Sequence, residues 1–239
     1  MTFSRRIVCA VCLAAFFAAG SRGLLADDKK KDPEPKGQDW VVRIEVLMVA
    51  MPEAKFIELL PDLQDEAKIE KVVPDLWAAV KKKEMILRGY PIVVTKSGQR
   101  AVSETIQEKR YPTEFKPSQT SAAKQSTPGN DGVSPMAFET RNAGVTLEVE
   151  PVVSGDGDWI DLNLVPQDVE LLGFDSYPSA TKGAESKFKM DQPLFFTMKM
   201  TTSISLRNGH YMMLAAHKMV RPDGFVDVFI VHAVAKAVK

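Results

Sequence analysis

Apolar positions in this chain recur mostly every second residue, the period of an extended strand with two unlike faces. Residues 137–174 show it best. Val145, Leu147 and Val149 alternate with Thr146, Glu148 and Glu150, Ser154-Gly155-Asp156-Gly157-Asp158 supplies a turn, and Ile160, Leu162 and Leu164 alternate with Asp161 and Asn163. Alternation on both sides of a Gly/Asp turn predicts a half-buried antiparallel hairpin.

Upstream, residues 40–51 place Val42, Ile44, Val46, Met48 and Ala50 on one face and Leu47 and Val49 beside Arg43 and Glu45 on the other, which predicts a strand covered on both sides. The period then lengthens. Phe56, Leu60, Leu63 and Ala67, followed by Val72, Val73, Leu76 and Val80, fall three or four apart. Pro61 and Pro74 divide this stretch into short helices, each proline expected in a first helical turn. Lys81, Lys82 and Lys83 suit a helix C-terminus, where cations complement the macrodipole.

Residues 85–95 predict a strand, 96–99 a turn, and 100–111 a polar strand with Val102 and Ile106 on its inner face. Residues 112–135 and 175–191 are rich in Pro, Ser, Gly and charge, and predict two exposed loops. Phe196, Met198, Met200, Thr202, Ile204 and Leu206 then alternate with polar neighbours in one long strand. Asn208-Gly209 predicts a hairpin turn back into 211–216. A turn at 221–224 leads to a last strand over 225–234, with Val226, Val228 and Ile230 set against Asp227. The fold expected is α+β and β-rich: antiparallel hairpins in a meander, with short helices in the N-terminal third.

The first residues change the picture. Arg5-Arg6 precede an apolar run over 7–19, small residues follow, and the chain turns polar at Asp27. This pattern predicts a signal peptide over 1–26, ahead of a flexible charged linker over 27–39. Both cysteines, Cys9 and Cys12, fall in that apolar run, so the exported chain is expected to carry neither disulfide nor thiol chemistry. The whole chain has 31 basic and 31 acidic residues; without the three arginines of 1–26, 28 basic residues face 31 acidic ones. A near-neutral chain with interspersed signs offers no electrostatic footprint for nucleic acid.

Candidate chemistry is sparse. His210, His217 and His232 match no zinc-ligand spacing. Gly155–Asp158 lacks the ligand positions of a calcium loop and the following helix of a phosphate site. Ser176, Ser179 and Ser186 sit in no nucleophile motif, and Glu148 with Glu150 reads as a solvated strand face. No catalytic residue, cofactor or metal is expected.

The order of motifs is more telling. Residues 40–51 (WVVRIEVLMVAM), 85–104 (MILRGYPIVVTKSGQRAVSE), 142–164 (NAGVTLEVEPVVSGDGDWIDLNL) and 192–216 resemble, in sequence, successive elements of the secretin domain of type II and III secretion systems. Residues 107–115 and 137–146 resemble in particular secretin-like proteins of Verrucomicrobia and related bacteria. The family positions matched are Gly144, Val145, Leu147, Val149, Pro151, Gly155, Gly157, Pro193, Thr202, Asn208 and Gly209. The resemblance covers residues 40–234, read as a truncated secretin-like domain. The expected departures from the family are a linker over 27–39 in place of the usual ring-forming domains, and Ala215-Ala216-His217 leading through 221–224 to Phe225 in place of a Gly-Gly-Leu and a Pro/Leu/Gly-rich segment.

The resemblance implies a non-enzymatic, exported protein in the outer membrane or periplasm. It would be a homo-oligomer contributing strands to a pore, with other secretion-system proteins as possible partners. The 11-residue alternation of 196–206 matches a membrane barrel strand in length. The alternative is a soluble periplasmic interaction module that keeps the fold without the pore. In that case the apolar face of 196–206 should be buried against the helices of 53–83.

Overall fold

The computed structural model describes residues 38–117, 133–178, 189–218 and 224–238. The signal peptide, the linker as far as residue 37 and the centres of the two expected loops lie outside the described residues, as does most of the 221–224 turn.

Among the described residues, ten strands and two helices follow in the order β1 (Trp40–Pro52), α1 (Glu53–Leu63), α2 (Ile69–Lys81), β2 (Ile86–Gly89), β3 (Ile92–Lys96), β4 (Ala101–Pro117), β5 (Val133–Val153), β6 (Trp159–Pro178), β7 (Lys189–Lys199), β8 (Thr202–Arg207), β9 (Tyr211–Lys218) and β10 (Phe225–Ala237). Sheet A has the order β2-β1-β10-β9, with β3 also on β1. Sheet B has the order β4-β5-β6-β7, with β8 also on β6. All pairings are antiparallel.

Two apolar interiors make this a three-layer body of helices, sheet A and sheet B. Between the sheets, Val42, Ile44, Val46 and Met48 of β1 and Phe229, Val231 and Ala233 of β10 meet Leu147, Val149, Ile160, Leu162 and Leu164 of sheet B. On the opposite face of sheet A, Leu47, Val49, Met51, Val226, Val228 and Ile230 meet Leu63, Ile69, Val72, Val73 and Leu76 of the helices. Strand β1 is covered on both sides, as its double apolar patterning requires. So is β10, and Asp227, set on its polar face by the alternation, is buried. Each fully buried Leu, Ile or Phe adds about 1.5–3 kcal/mol relative to leaving it exposed.

The central hairpin forms with Val153 opposite Ile160. Within its turn, Ser154 donates to Asp156, and the backbone N–H of Asp158 donates to the same carboxylate. These bonds hold the Asp156 carboxyl below its usual range, the serine contributing most. The Lys81–Lys83 segment ends α2, with Lys83 in the left-handed region at φ 63°.

Several expectations give way to tertiary context. Pro61 and Pro74 lie inside α1 and α2 rather than in first turns. The helix break falls instead at 64–68, where the Asp65 side chain accepts from Ala67 N–H and its carbonyl from Ile69 N–H. Tyr90-Pro91 splits 85–95 into β2 and β3, both laid along β1. Val102 and Ile106 point outward, because Ala101 stands opposite the buried Val149 and so takes the inward position.

The ends of the two expected loops, 112–135 and 175–191, are strand. Strands run to Pro117 and Pro178 and resume at Val133 and Lys189. Edge strand β4 accommodates Pro112 and Pro117 because a proline is tolerated where no second ladder is needed.

The long alternation of 196–206 breaks into β7 and β8 beside Pro166. The Pro166 carbonyl accepts from Met200 N–H, on the side where a proline has no N–H to return. Its apolar face is largely buried, though against sheet A and not against the helices: Phe196, Met198, Ile204 and Leu206 belong to the inter-sheet core. Asn208-Gly209 makes a turn but no hairpin. Strand β8 stays in sheet B while β9 crosses to sheet A, so Ile204, Leu206, Met212 and Leu214 all reach the same inter-sheet core.

Candidate functional site

Strands β5 and β6 pair only as far as Gly144 opposite Val169. Beyond that point β4 and β5 continue together as one hairpin arm, and β6 and β7 as another. Gly144 sits at the parting, with φ at 133°, and a Cβ there would stand 2.2 Å from the Thr105 carbonyl oxygen. Only glycine fits such close approach. The ladders shift register at Pro112–Phe115 in the first arm and at Leu171–Gly173 in the second; such irregularities bend a strand.

The arms touch each other. Arg141 lies 4.8 Å over the Phe195 ring and donates to Thr197, Tyr111 packs against Phe195 at 6.1 Å, and Gln192 donates to the Pro112 carbonyl. Their outer positions carry Ile106, Met136, Phe138, Leu172, Phe174 and Leu194, all exposed.

Most of the other matched positions serve the sandwich. Leu147 and Val149 are fully buried, and Val145 packs on the core at the level of Gly89. The Pro151 carbonyl accepts from Gly98 N–H. Gly157 has φ 81°, and a Cβ there would stand 2.3 Å from the Trp40 ring. Gly155 is exposed with open space around it. Pro193 faces Phe174 within the second arm, and Thr202 opens β8 opposite Leu164.

Asn208 is the corner bolt. Its side-chain amide donates to the carbonyls of Gly157 and Ala235 and accepts from Ala235 N–H, joining the central turn in sheet B to β10 in sheet A. Gly209 N–H donates to the Ala233 carbonyl. The structure thus gathers Gly157, Asn208 and Gly209 at one end of the sandwich and sets Gly144 and Pro193 toward the other.

Two polar clusters were not legible in the sequence. Arg88 of β2 bonds Asp227 of β10 at 3.1 Å and Glu170 of β6 at 3.3 Å, tying the sheets together where the second arm departs. On the helix side of sheet A, buried Glu45 accepts from Tyr90 and pairs with Arg43, with His232 Nδ1 3.8 Å away. Tyr211 stacks on His232 at 4.2 Å, and Trp77 meets Tyr90 edge-on at 4.9 Å. Glu45, Val73, Trp77, Tyr90, Tyr211 and His232 line a partly open cavity of about 10 Å³, room for about one water. Burial, then the Glu45 hydrogen bond and charge, push the Tyr90 phenol far above its ordinary range, and burial also raises Tyr211. A lone carboxylate among aromatic residues carries no sequence signal of its own. Only the alternation parity of β1, which sets Glu45 on the same face as Leu47, pointed that way.

Among the described residues, no group of three or more His, Cys, Asp or Glu side chains could hold a metal ion, and no helix is long and apolar enough to cross a membrane.

Solved structures resembling this fold include the InvG secretin of the Salmonella SPI-1 type III secretion injectisome (11% identity, 84% of this chain and 66% of that one, TM-score 0.42). The ETEC pilotin-secretin AspS-GspD complex matches at 11% identity over 85% of this chain and 50% of the matched chain, TM-score 0.42. The V. cholerae type IV competence pilus secretin PilQ matches at 11% over 83% and 61%, TM-score 0.39. The chain therefore spans from half to just under two thirds of these proteins. No curated protein matches the sequence. Residues 79–216, more than half of the chain, match the Secretin family, described as bacterial type II and III secretion system protein, and the chain belongs to that family.

Proposed function

We propose that this protein is exported and that its copies assemble head to tail into a ring that forms, or contributes to, an outer-membrane pore for protein secretion. One observation carries the reading: each sheet ends on strands whose outer edges pair with no other strand among the described residues, and the two ends of each sheet run in opposite directions. In sheet A, β9 runs parallel to β1, whereas β2 and β3 run antiparallel to it. In sheet B, β4 runs antiparallel to β7 and β8. Edge lengths correspond as well: β4 has 17 residues, while β7 and β8, laid end to end on β6, have 11 and 6.

One copy's edge can therefore meet the opposite edge of the next in antiparallel pairing. Such a contact joins two different surfaces and yields a closed ring when the rotation per copy divides a full turn. It also removes the liability of open strand edges. The exposed apolar residues of the arms give the ring a surface suited to lipid or to neighbouring copies.

Fractionation of the untagged protein followed by native sizing tests this. Very large, SDS-resistant species in the membrane fraction are expected. A soluble periplasmic monomer would overturn the proposal and leave the interaction-module alternative standing.

A further inference from the structure

We infer that neighbouring copies are locked on the helix side of sheet A, where an apolar ridge on β2 and β3 of one copy enters the groove beside β9 of the next. The inference rests on the head-to-tail reading above and adds the contact that closes the seam.

The ridge comes from strand parity. Leu87, Ile92 and Val94 stand opposite Val49, Glu45 and Arg43 of β1, which places them on the face of sheet A that the helices cover elsewhere. Helix α2 reaches Tyr90, between the two strands, through Trp77, but leaves these three positions uncovered. The three side chains are 40%, 48% and 60% exposed. Lys96 continues the same alternation and is exposed too.

The groove lies at the opposite edge. Between the α1–α2 junction and β9 is an open space of about 430 Å³, lined by Leu63, Ile69, Tyr211 and Met213, with Glu66 at its rim. Tyr211 and Met213 pack with the helix-side core, so they occupy the same sheet face as the ridge. When β3 of one copy pairs with β9 of another, same-face side chains on adjacent strands fall about 4.5–5.5 Å apart at Cβ. Ile92 and Val94 then abut Tyr211 and Met213 beneath the overhanging Leu63 and Ile69. Methionine is suited to such a contact, since its unbranched chain fills irregular gaps. Lys96 and Glu66 bring opposite charges to the two sides of the seam. A second copy is thus the occupant that matches strand direction, face, apolarity and charge together.

The test uses the full chain with Cys9 and Cys12 replaced by alanine. The pair Ile92→Cys and Met213→Cys, opposite each other in that antiparallel register, is treated with a short bis-maleimide and is expected to give a ladder of covalent multimers. After a treatment that dissociates SDS-resistant assemblies, such as phenol extraction, each single variant should run as a monomer, and a mixture of the two singles should stop at dimers. Val94→Lys should reduce the assembled fraction at least tenfold with an unchanged circular dichroism spectrum.

If wild-type assemblies form but the double variant gives no ladder, or Val94→Lys assembles normally, the seam is wrong while the ring reading survives. Single variants that cross-link to themselves would show a symmetric contact and overturn the seam as well. A wild-type chain that is monomeric throughout overturns both.

Discussion

Strands β5 and β6 each live in two environments. In the sandwich half, their inward positions Leu147, Val149, Ile160 and Leu162 are all at 0% exposure, because sheet A lies over them. In the arm half the same two strands present Phe138 and Phe174 at 45% and 61% exposure. The backbone is extended in both halves and apolar residues occur in both. The difference is cover. Sheet A reaches only to the level of Gly144 and Val169, so the sandwich completes its burial within one chain, while the arms keep apolar surface that a second body could cover. Exposed apolar residues grouped in this way mark a surface suited to contact.

This contrast can be broken by substitution. Phe229→Ala should have the largest effect, a loss of about 3–5 kcal/mol, because it empties a fully buried site between the sheets. Urea unfolding followed by circular dichroism should show the midpoint fall. Arg88→Ala should cost about 3 kcal/mol by the same measurement, since it removes the arginine that neutralises buried Asp227 and ties β2 and β10 to β6. Hydrogen exchange in that variant should quicken near Glu170 before it does near Ile160.

Tyr90→Phe should cost about 1 kcal/mol by removing the hydrogen bond to Glu45. Its pH dependence has a definite sign. The folded-state phenol is raised above its unfolded value, so its contribution is present below the ordinary phenol range and is lost as pH climbs through the raised folded value. The deficit of the variant should therefore be constant at neutral pH, and a spectrophotometric titration should lose its latest-ionising tyrosine.

The smallest effect on stability belongs to the arms. Phe174→Ser should change the unfolding free energy by no more than about 0.5 kcal/mol. A loss comparable to that of Phe229→Ala would show that the arm is covered within the single chain and would erase the contrast.

Much of this architecture was legible beforehand. The central hairpin, the doubly covered β1 and the helical segment between 53 and 83 follow from local periodicity, which needs only neighbours in sequence. Strand at the ends of 112–135 and 175–191 is hidden in the sequence, because Pro and Ser in an edge strand look the same there as Pro and Ser in a loop. Asp227 was set on a polar face because one alternation in β10 masks another: Phe229, Val231 and Ala233 are as apolar as their neighbours.

Asn208-Gly209 shows the limit most clearly. The dipeptide determines that the chain turns, through the positive φ that glycine accepts at 84°. Whether the next strand returns to the same sheet or crosses to the other is a question of which apolar surface lies within reach. The sequence alone determined the double cover of β1, the faces and turn of the central hairpin and the turn at Asn208-Gly209, since these depend on steric and hydrophobic periods of a few residues. The tertiary structure decided which sheet each strand joins, which acids are buried and where the cover ends, because those outcomes depend on contacts between residues far apart in the chain.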